Sequence, residues 1–180
     1  MTFKKNDERV EILSQKELGL TITRLASEVI ERTNDPKSLL LLGIPTRGVY
    51  LSKVLAQKLE GITGDSIAHG SLDPIFHRDD LGRIGTRIAQ PTEFPISVEE
   101  REIVLVDDVI FTGRTVMAAL EALRNWGRPK CVMLLVMVDR GHRELPIQPD
   151  FCGRKVPTRR TESIELRLQD VDNEEGVFLR

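Results

Sequence analysis

Residues 18 to 33 place Leu18, Ile22, Leu25, Ala26, Val29 and Ile30 on one face at helical spacing, and Asn34-Asp35-Pro36 then stops the helix. The run SLLLLGI at 38 to 44 is apolar throughout, as suits a strand covered on both faces, and the pattern returns at EIVLV (102 to 106) and CVMLLVMV (131 to 138). Between these runs Val49, Val54, Leu55 and Leu59 suggest a second helix, while Val116, Ala119, Leu120 and Leu123 mark a third that ends at Trp126-Gly127 before Pro129. Buried strands alternating with amphipathic helices predict an α/β fold on a mainly parallel, twisted sheet, with its ligand crevice beyond the carboxyl ends of the strands. The unusual residues fall there: GIPTRG after the first strand, DDVIFTGRT after the central one, DRGHRELP after the last.

Residues 70 to 100 break the pattern. Gly70, Pro74, Gly82, Gly85, Pro91 and Pro95 interrupt a stretch carrying Arg78, Asp79, Asp80, Arg83 and Arg87, which reads as a long loop or mobile hairpin lying over the crevice as a lid.

The chain has the length of one domain, 180 residues, and its 40% hydrophobic content suffices for a core around a sheet. With 26 basic against 28 acidic residues it has no global attraction for nucleic acid or anionic membranes, so an RNA site would have to be a local patch. MTFKKNDERVEI has no apolar stretch of a secretory signal, and no apolar run approaches the roughly 18 residues of a membrane span. Cys131, opening a strand-like run, and Cys152, in a loop-like stretch, have no metal-site spacing and read as ordinary thiols of a cytoplasmic protein.

EIVLV carries the chain up to Asp107 and Asp108, where a turn is expected before a helix running from Thr115 to Trp126. Thr112-Gly113-Arg114-Thr115 then brings two hydroxyls, a glycine and a guanidinium to a helix N-terminus, a cradle for a phosphate monoester. Carboxylates that accept from sugar hydroxyls and a cradle for phosphate together suit a ribose 5-phosphate. The alternative is that the two aspartates cap a turn and Thr115 caps the helix. Neither a GxxxxGK[ST] nor a GxGxxG string is present.

IVLVDDVIFTGRTV, at 103 to 116, resembles the 5-phosphoribosyl-1-pyrophosphate (PRPP) motif of the type I phosphoribosyltransferases. GIPTRGVYLSKVLA (43 to 56), HRDDL (77 to 81) and VDRGHRELPIQPDFCGRKVPT (138 to 158) extend the resemblance over nearly the whole chain, to the members that join uracil phosphoribosyltransferase activity to attenuation of pyrimidine operons. The resemblance implies the type I phosphoribosyltransferase fold, with a flexible lid and a small C-terminal hood of roughly residues 142 to 165. It implies that Asp107 and Asp108 hold the ribose hydroxyls, that Val109, Ile110 and Phe111 continue the PRPP site, and that Thr112, Gly113, Arg114 and Thr115 wrap the 5-phosphate. Thr46, Arg47 and Gly48 match the pyrophosphate loop, Pro45 before them offering no N–H. Arg78 matches a catalytic loop. Tyrosine is common in the family where His77 and Phe111 stand here.

By the same resemblance Asp139, Arg140 and Gly141 help form the base pocket, and Ile164 walls it, although core packing explains Ile164 at least as well. His142 matches a family position, which a loop histidine bonded to backbone explains equally. The implied reaction converts uracil and PRPP to uridine monophosphate (UMP) and pyrophosphate, with magnesium held mainly by PRPP oxygens and water rather than by a protein site. The implied partners are a leader mRNA of pyrimidine genes, with Arg9, Arg24, Lys155, Arg159 and Arg160 as candidate contacts, and further copies of the chain in a dimer or higher oligomer. Two other functions share these residues: an RNA-binding regulator with little catalysis, and a phosphoribosyltransferase for a purine base.

Overall fold

The structure is a computed structural model, and it describes residues 9–79 and 88–180. A five-stranded parallel sheet forms its centre, in the order β3 (Ala68–Ser71), β2 (Leu39–Gly43), β4 (Glu102–Ile110), β5 (Cys131–Asp139), β6 (Phe151–Lys155). The three apolar runs of the sequence are its three inner strands. Their continuous hydrophobicity follows from cover on both faces. Leu39, Leu41, Val104, Val106, Met133 and Leu135 pack beneath α1 (Gln15–Arg32) and α2 (Arg47–Thr63). Leu40, Leu42, Ile103, Leu105, Leu134 and Val136 meet Val116, Ala119 and Leu123 of α3 (Arg114–Leu123) on the other face.

The helices begin and end for local reasons. Ser14 opens α1 with a capping box, its hydroxyl accepting from the Glu17 N–H while the Glu17 carboxylate accepts from the Ser14 N–H at 2.9 Å. Gly64, in the left-handed region at φ 76°, closes α2. The third helix is shorter than the expected 115 to 126, its last turn tightening to a 3-10 helix over Arg124–Trp126.

Three expectations need correction. The central strand does not turn at its aspartates but runs through them to Ile110, because Asp107 and Val109 still pair in register with Val136 and Val138 of β5. The segment 70 to 100 is not loop throughout. Its start belongs to β3, Ser71 forms an antiparallel bridge with Glu93, and Asp73 accepts from the N–H groups of Ile75 and Gln90, so that the two stems of the segment are tied together. Asp80, Arg83 and Arg87, with Gly82 and Gly85, lie outside the described residues. The third concerns Cys152, expected in a loop-like stretch. Residues 151–155 are β6, at the edge of the central sheet, with Cys152 inside that strand and not in a loop. Ile164–Arg167 (β7) instead joins Gly176–Leu179 (β8) and the N-terminal Val10–Ser14 (β1) in a three-stranded antiparallel sheet, with a short helix, α4 (Gln169–Asp172), between β7 and β8.

Candidate active site

The carboxyl end of β4 and the N-terminus of α3 enclose a cavity of about 280 Å³, lined by Arg78, Asp107, Val109, Ile110, Phe111, Thr112, Gly113, Arg114, Thr115, Val116 and Glu144. A single stretch of chain, 107 to 116, supplies most of it. Gly113 stands at φ 92°, a left-handed conformation that lets the chain leave the strand and enter the helix within three residues. Gly113 at the N-cap has no side chain to close α3, and the first helical N–H, that of Arg114, turns back to the Thr112 hydroxyl at 3.4 Å, so the helix N-terminus faces the cavity wall without a cap from the preceding residue.

Asp107 lines the cavity yet is only 7% exposed, and Asp108 beside it is half-buried and outside the lining. The expectation that both carboxylates stand open to the crevice therefore holds in part: strand alternation sends neighbours to opposite faces. Each curls to accept from the next backbone N–H, Asp107 from Asp108 and Asp108 from Val109, both at 2.9 Å. Burial, reinforced by the adjacent Asp108 charge, raises the Asp107 carboxyl well above its ordinary 3.8, and the Arg78 charge opposes the shift only in part. A folded-state pKa above the unfolded one means that the group's contribution to stability is full below pH 3.8 and is lost as pH rises through the raised value. Asp107→Asn should therefore be more stable than the native chain at pH 7 to 8. Each 1 kcal/mol gained appears as about 2–4 °C in Tm. The difference should shrink as a melting series is carried down toward pH 4, and a gap independent of pH would contradict the buried-carboxyl account.

Arg78 reaches across from the segment after β3 and donates from Nη1 to the Thr115 hydroxyl at 2.7 Å, placing its charge above the cradle. Arg114 is bracketed by two carboxylates, Glu144 at 3.0 Å and Asp79. Glu144, which sequence reasoning passed over, lines the cavity because the N–H groups of Glu144 and Leu145 both donate to the Thr112 carbonyl. The only sequence sign of it is its place in GHRELP.

The loop between β2 and α2 begins with a cis peptide between Pro45 and Thr46. Thr46 is exposed and Arg47 opens the helix, its Nη2 paired with Asp172 at 2.9 Å. Gly48 is needed for packing whatever it binds: a Cβ there would stand 2.3 Å from the Val106 carbonyl oxygen and 3.4 Å from the Asp107 Cα. That contact sets the first turn of α2 against the aspartate end of β4. Neither Thr46 nor Arg47 lines the cavity itself.

On the other flank, Arg140 is 8% exposed and serves as a latch. Its Nε donates to the Thr158 hydroxyl at 3.1 Å, its Nη2 to the carbonyls of Arg159 and Glu162 at 3.0 and 2.6 Å, and its guanidinium lies 4.1 Å from the centre of the Phe111 ring. Those bonds turn it toward the chain of residues 158–162, a task the sequence reading did not foresee. Asp139 accepts from the Gly141 N–H at 2.9 Å and is neutralised by Arg143 at 2.7 Å. The His142 ring bonds the Thr158 carbonyl and meets Phe111 edge-on, the backbone-bonded role. Ile164 lies in β7 and packs with the core cluster under the sheet, as does Val109. Of the basic candidates for RNA, Arg9 pairs with Glu174, and Arg24 is bound to Glu28 and the Cys152 and Gly153 carbonyls. Lys155, Arg159 and Arg160 are exposed, Arg160 lying 3.5 Å from Glu144. Among the described residues no group of three or more His, Cys, Asp or Glu side chains is placed to hold a metal, and no helix is long and apolar enough to cross a membrane.

The cavity thus joins a helix N-terminus to a buried aspartate at the carboxyl end of a central parallel strand. The phosphoribosyl transferase domain family matches residues 9–164, and the chain belongs to that family. It is 50% identical to the bifunctional protein PyrR of Microcystis aeruginosa over 94% of this chain and 96% of that one. With the PyrR protein of Thermosynechococcus vestitus it shares 51% over 96% of this chain and 94% of the other. Among solved structures it resembles a hypoxanthine-guanine-xanthine phosphoribosyltransferase (TM-score 0.68, 18% identity, 94% of each chain). A hypoxanthine-guanine phosphoribosyltransferase of Bacillus anthracis is similarly alike (TM-score 0.70, 12% identity, 94% and 95% of the two chains). At these identities the structural likeness is one of fold and says nothing of the base.

Proposed function

We propose that this chain transfers the phosphoribosyl group of PRPP to uracil, giving UMP and pyrophosphate, and that it also regulates pyrimidine-operon transcripts as an RNA-binding protein. One observation carries the enzymatic reading: Asp107 and the Gly113–Thr115 cradle line the same cavity, spaced along one strand–turn–helix, and Arg78, which also lines it, bonds the Thr115 hydroxyl. The affinity for uracil over a purine rests on the half-identical PyrR relatives and on the C-terminal string, not on the purine enzymes that share the fold. The single domain carries out both tasks in the cytoplasm as a homo-oligomer.

In this reading the α3 N–H groups, Thr112, Arg114 and Thr115 bind the 5-phosphate, and Asp107 and Asp108 accept from the ribose hydroxyls. Glu144 and Asp79 hold Arg114 extended until the phosphate takes their place. Departure of pyrophosphate leaves positive charge on the sugar, which Asp107 and Asp108 stabilise while Arg78 meets charge on the departing group. The phosphate and the sugar fix the anomeric carbon, so that positioning of the base against it supplies much of the rate. Asp139, Arg140 and Gly141, with Phe111, close the base end, and Ile164 backs that wall from the core. Thr46, Arg47 and Gly48 receive the pyrophosphate.

The hard carboxylate oxygens of Asp107 and Asp108 fit magnesium as outer partners, but the adjacent pair alone is too few donors to enclose it, so its ligands are mostly PRPP oxygens and water. When bound, the ion neutralises charge on the leaving pyrophosphate.

Formation of UMP and pyrophosphate in equal amounts from uracil, PRPP and magnesium tests the reaction. No product with uracil would overturn it. In the same assay Arg78→Ala should lower kcat by roughly 10- to 100-fold with little change in the Michaelis constant for PRPP, since a charge-assisted bond made chiefly in the transition state contributes about 1.5–3 kcal/mol. An unchanged kcat would return Arg78 to a surface charge tethered to Thr115.

The regulatory reading uses Lys155, Arg159 and Arg160, each exposed, at the end of β6 and in the chain after it. Structured RNA is read mainly through loop and bulge bases, with such cations on its phosphates. Lys155→Ala with Arg159→Ala should weaken binding to the native leader RNA and flatten its salt dependence by about one unit of slope or less per lost phosphate contact. A filter-binding titration checks this, and an unaltered slope would remove the patch from the RNA interface.

A further inference from the structure

Arg47 has an unusual setting for a residue at the start of a helix. Its Nη2 donates to Asp172 Oδ1 at 2.9 Å, and its Nε is buried without a hydrogen-bond partner. Asp172 sits at the end of α4, the short helix that joins β7 to β8, 125 residues along the chain. Its other oxygen, Oδ2, is already fixed by the Leu168 N–H at 3.0 Å. Its own N–H returns to the Leu168 carbonyl at 2.8 Å, and Asn173 in the left-handed region (φ 52°) ends the turn. The carboxylate is thus set by its own turn before it meets Arg47.

We infer that Asp172 is a positioning residue for the leaving pyrophosphate, holding the Arg47 side chain where the start of α2 meets the aspartate end of β4. The inference rests on the reading of Thr46–Gly48 as the pyrophosphate loop. Its geometry follows from Gly48, which backs onto the Val106 carbonyl and the Asp107 Cα and so fixes the backbone on which Arg47 stands. A guanidinium clamped on one nitrogen and unpaired on another is a donor set that a ligand oxygen completes. Arginine binds such oxygens best when its fork is ordered beforehand.

Two effects oppose each other when Asp172 is neutralised. A charge that repels pyrophosphate is removed, and a long side chain is released. Geometry is the larger, because the released guanidinium carries a buried, unpaired Nε and moves out to water rather than toward the ligand.

Binding of pyrophosphate, with magnesium, is measured by calorimetry on the full chain and on Asp172→Asn, Asp172→Glu and Arg47→Ala, with UMP as the control ligand. Asp172→Asn should weaken pyrophosphate roughly 5- to 30-fold, within the span of coupling between contacting residues, and leave UMP within about 2-fold. Asp172→Glu should restore part of the loss. In the Arg47→Ala background, Asp172→Asn should have no further effect, which a merely structural role would not produce. Native binding of pyrophosphate with equal or tighter binding by Asp172→Asn overturns the inference alone, as does a parallel loss for UMP. A native chain that binds UMP but no pyrophosphate overturns the reading of the loop as well.

Discussion

The double variant Asp107→Asn, Asp108→Asn is expected to fold and to lose PRPP use by roughly 10²- to 10⁴-fold in kcat/KM, from about 1.5–3 kcal/mol for each charge-assisted bond. The residues are adjacent and their charges coupled, so the effects should add incompletely and the lower half of that range is favoured. Folding should survive because neither carboxylate is paired to a buried cation. Each accepts from the following backbone N–H, a bond an asparagine oxygen can also serve. Relief of the buried Asp107 charge should even raise Tm at neutral pH. Steady-state kinetics with a melting curve on the same preparation check both halves, and native kinetics in a folded double variant would remove the aspartates from the site.

Arg140→Ala should be the most damaging single change to stability on this side of the molecule. The guanidinium is 8% exposed, holds one hydroxyl and two carbonyls of residues 158–162, and lies over Phe111. Losing those bonds and their packing should remove about 2–4 kcal/mol, part of the lost hydrogen bonding being recovered by water at the edge of the segment. For a chain of this size that is roughly a 5–15 °C fall in Tm. UMP affinity should fall with it, because Phe111 lines the cavity and loses its cover. Arg140→Lys should rescue little, since an ammonium cannot reproduce a planar fork reaching three acceptors. Calorimetric melting decides this, and an unchanged Tm would show that the latch contributes nothing.

What the sequence revealed, and what it hid, follows from where each signal is written. The three inner strands were plain because burial on both faces leaves an unbroken apolar run, and α1 was plain from its spacing. The strand β3, AHGS, has no such run and contains Gly70, which reads as a breaker. The glycine is there because a Cβ would stand 2.1 Å from the Glu93 carbonyl oxygen. The strands β1, β7 and β8 are four or five residues long, and each makes sense only with a partner far along the chain, Val10 opposite Leu179 and Ile164 opposite Leu179. Local patterning carries no sign of such pairings.

The site divides in the same way. Asp107 and the cradle could be read because they lie in one contiguous string at a strand–helix turn. Glu144 and Asp172 could not, since what makes each of them matter is an ion pair with an arginine 30 or 125 residues away. Arg140 was found as a site residue but its latch was missed, because its acceptors are backbone carbonyls whose positions only the fold determines.

Because the PyrR relatives and the purine enzymes share this PRPP chemistry, the choice of base tests the account most directly. The native chain, with PRPP and magnesium, is offered uracil, hypoxanthine, guanine and adenine in competition, and the nucleotides formed are separated by chromatography. UMP should form, with a kcat/KM for uracil that exceeds that for any purine, and it should vanish in the Asp107→Asn, Asp108→Asn variant. Nucleotide formed from a purine in preference to uracil would contradict the account.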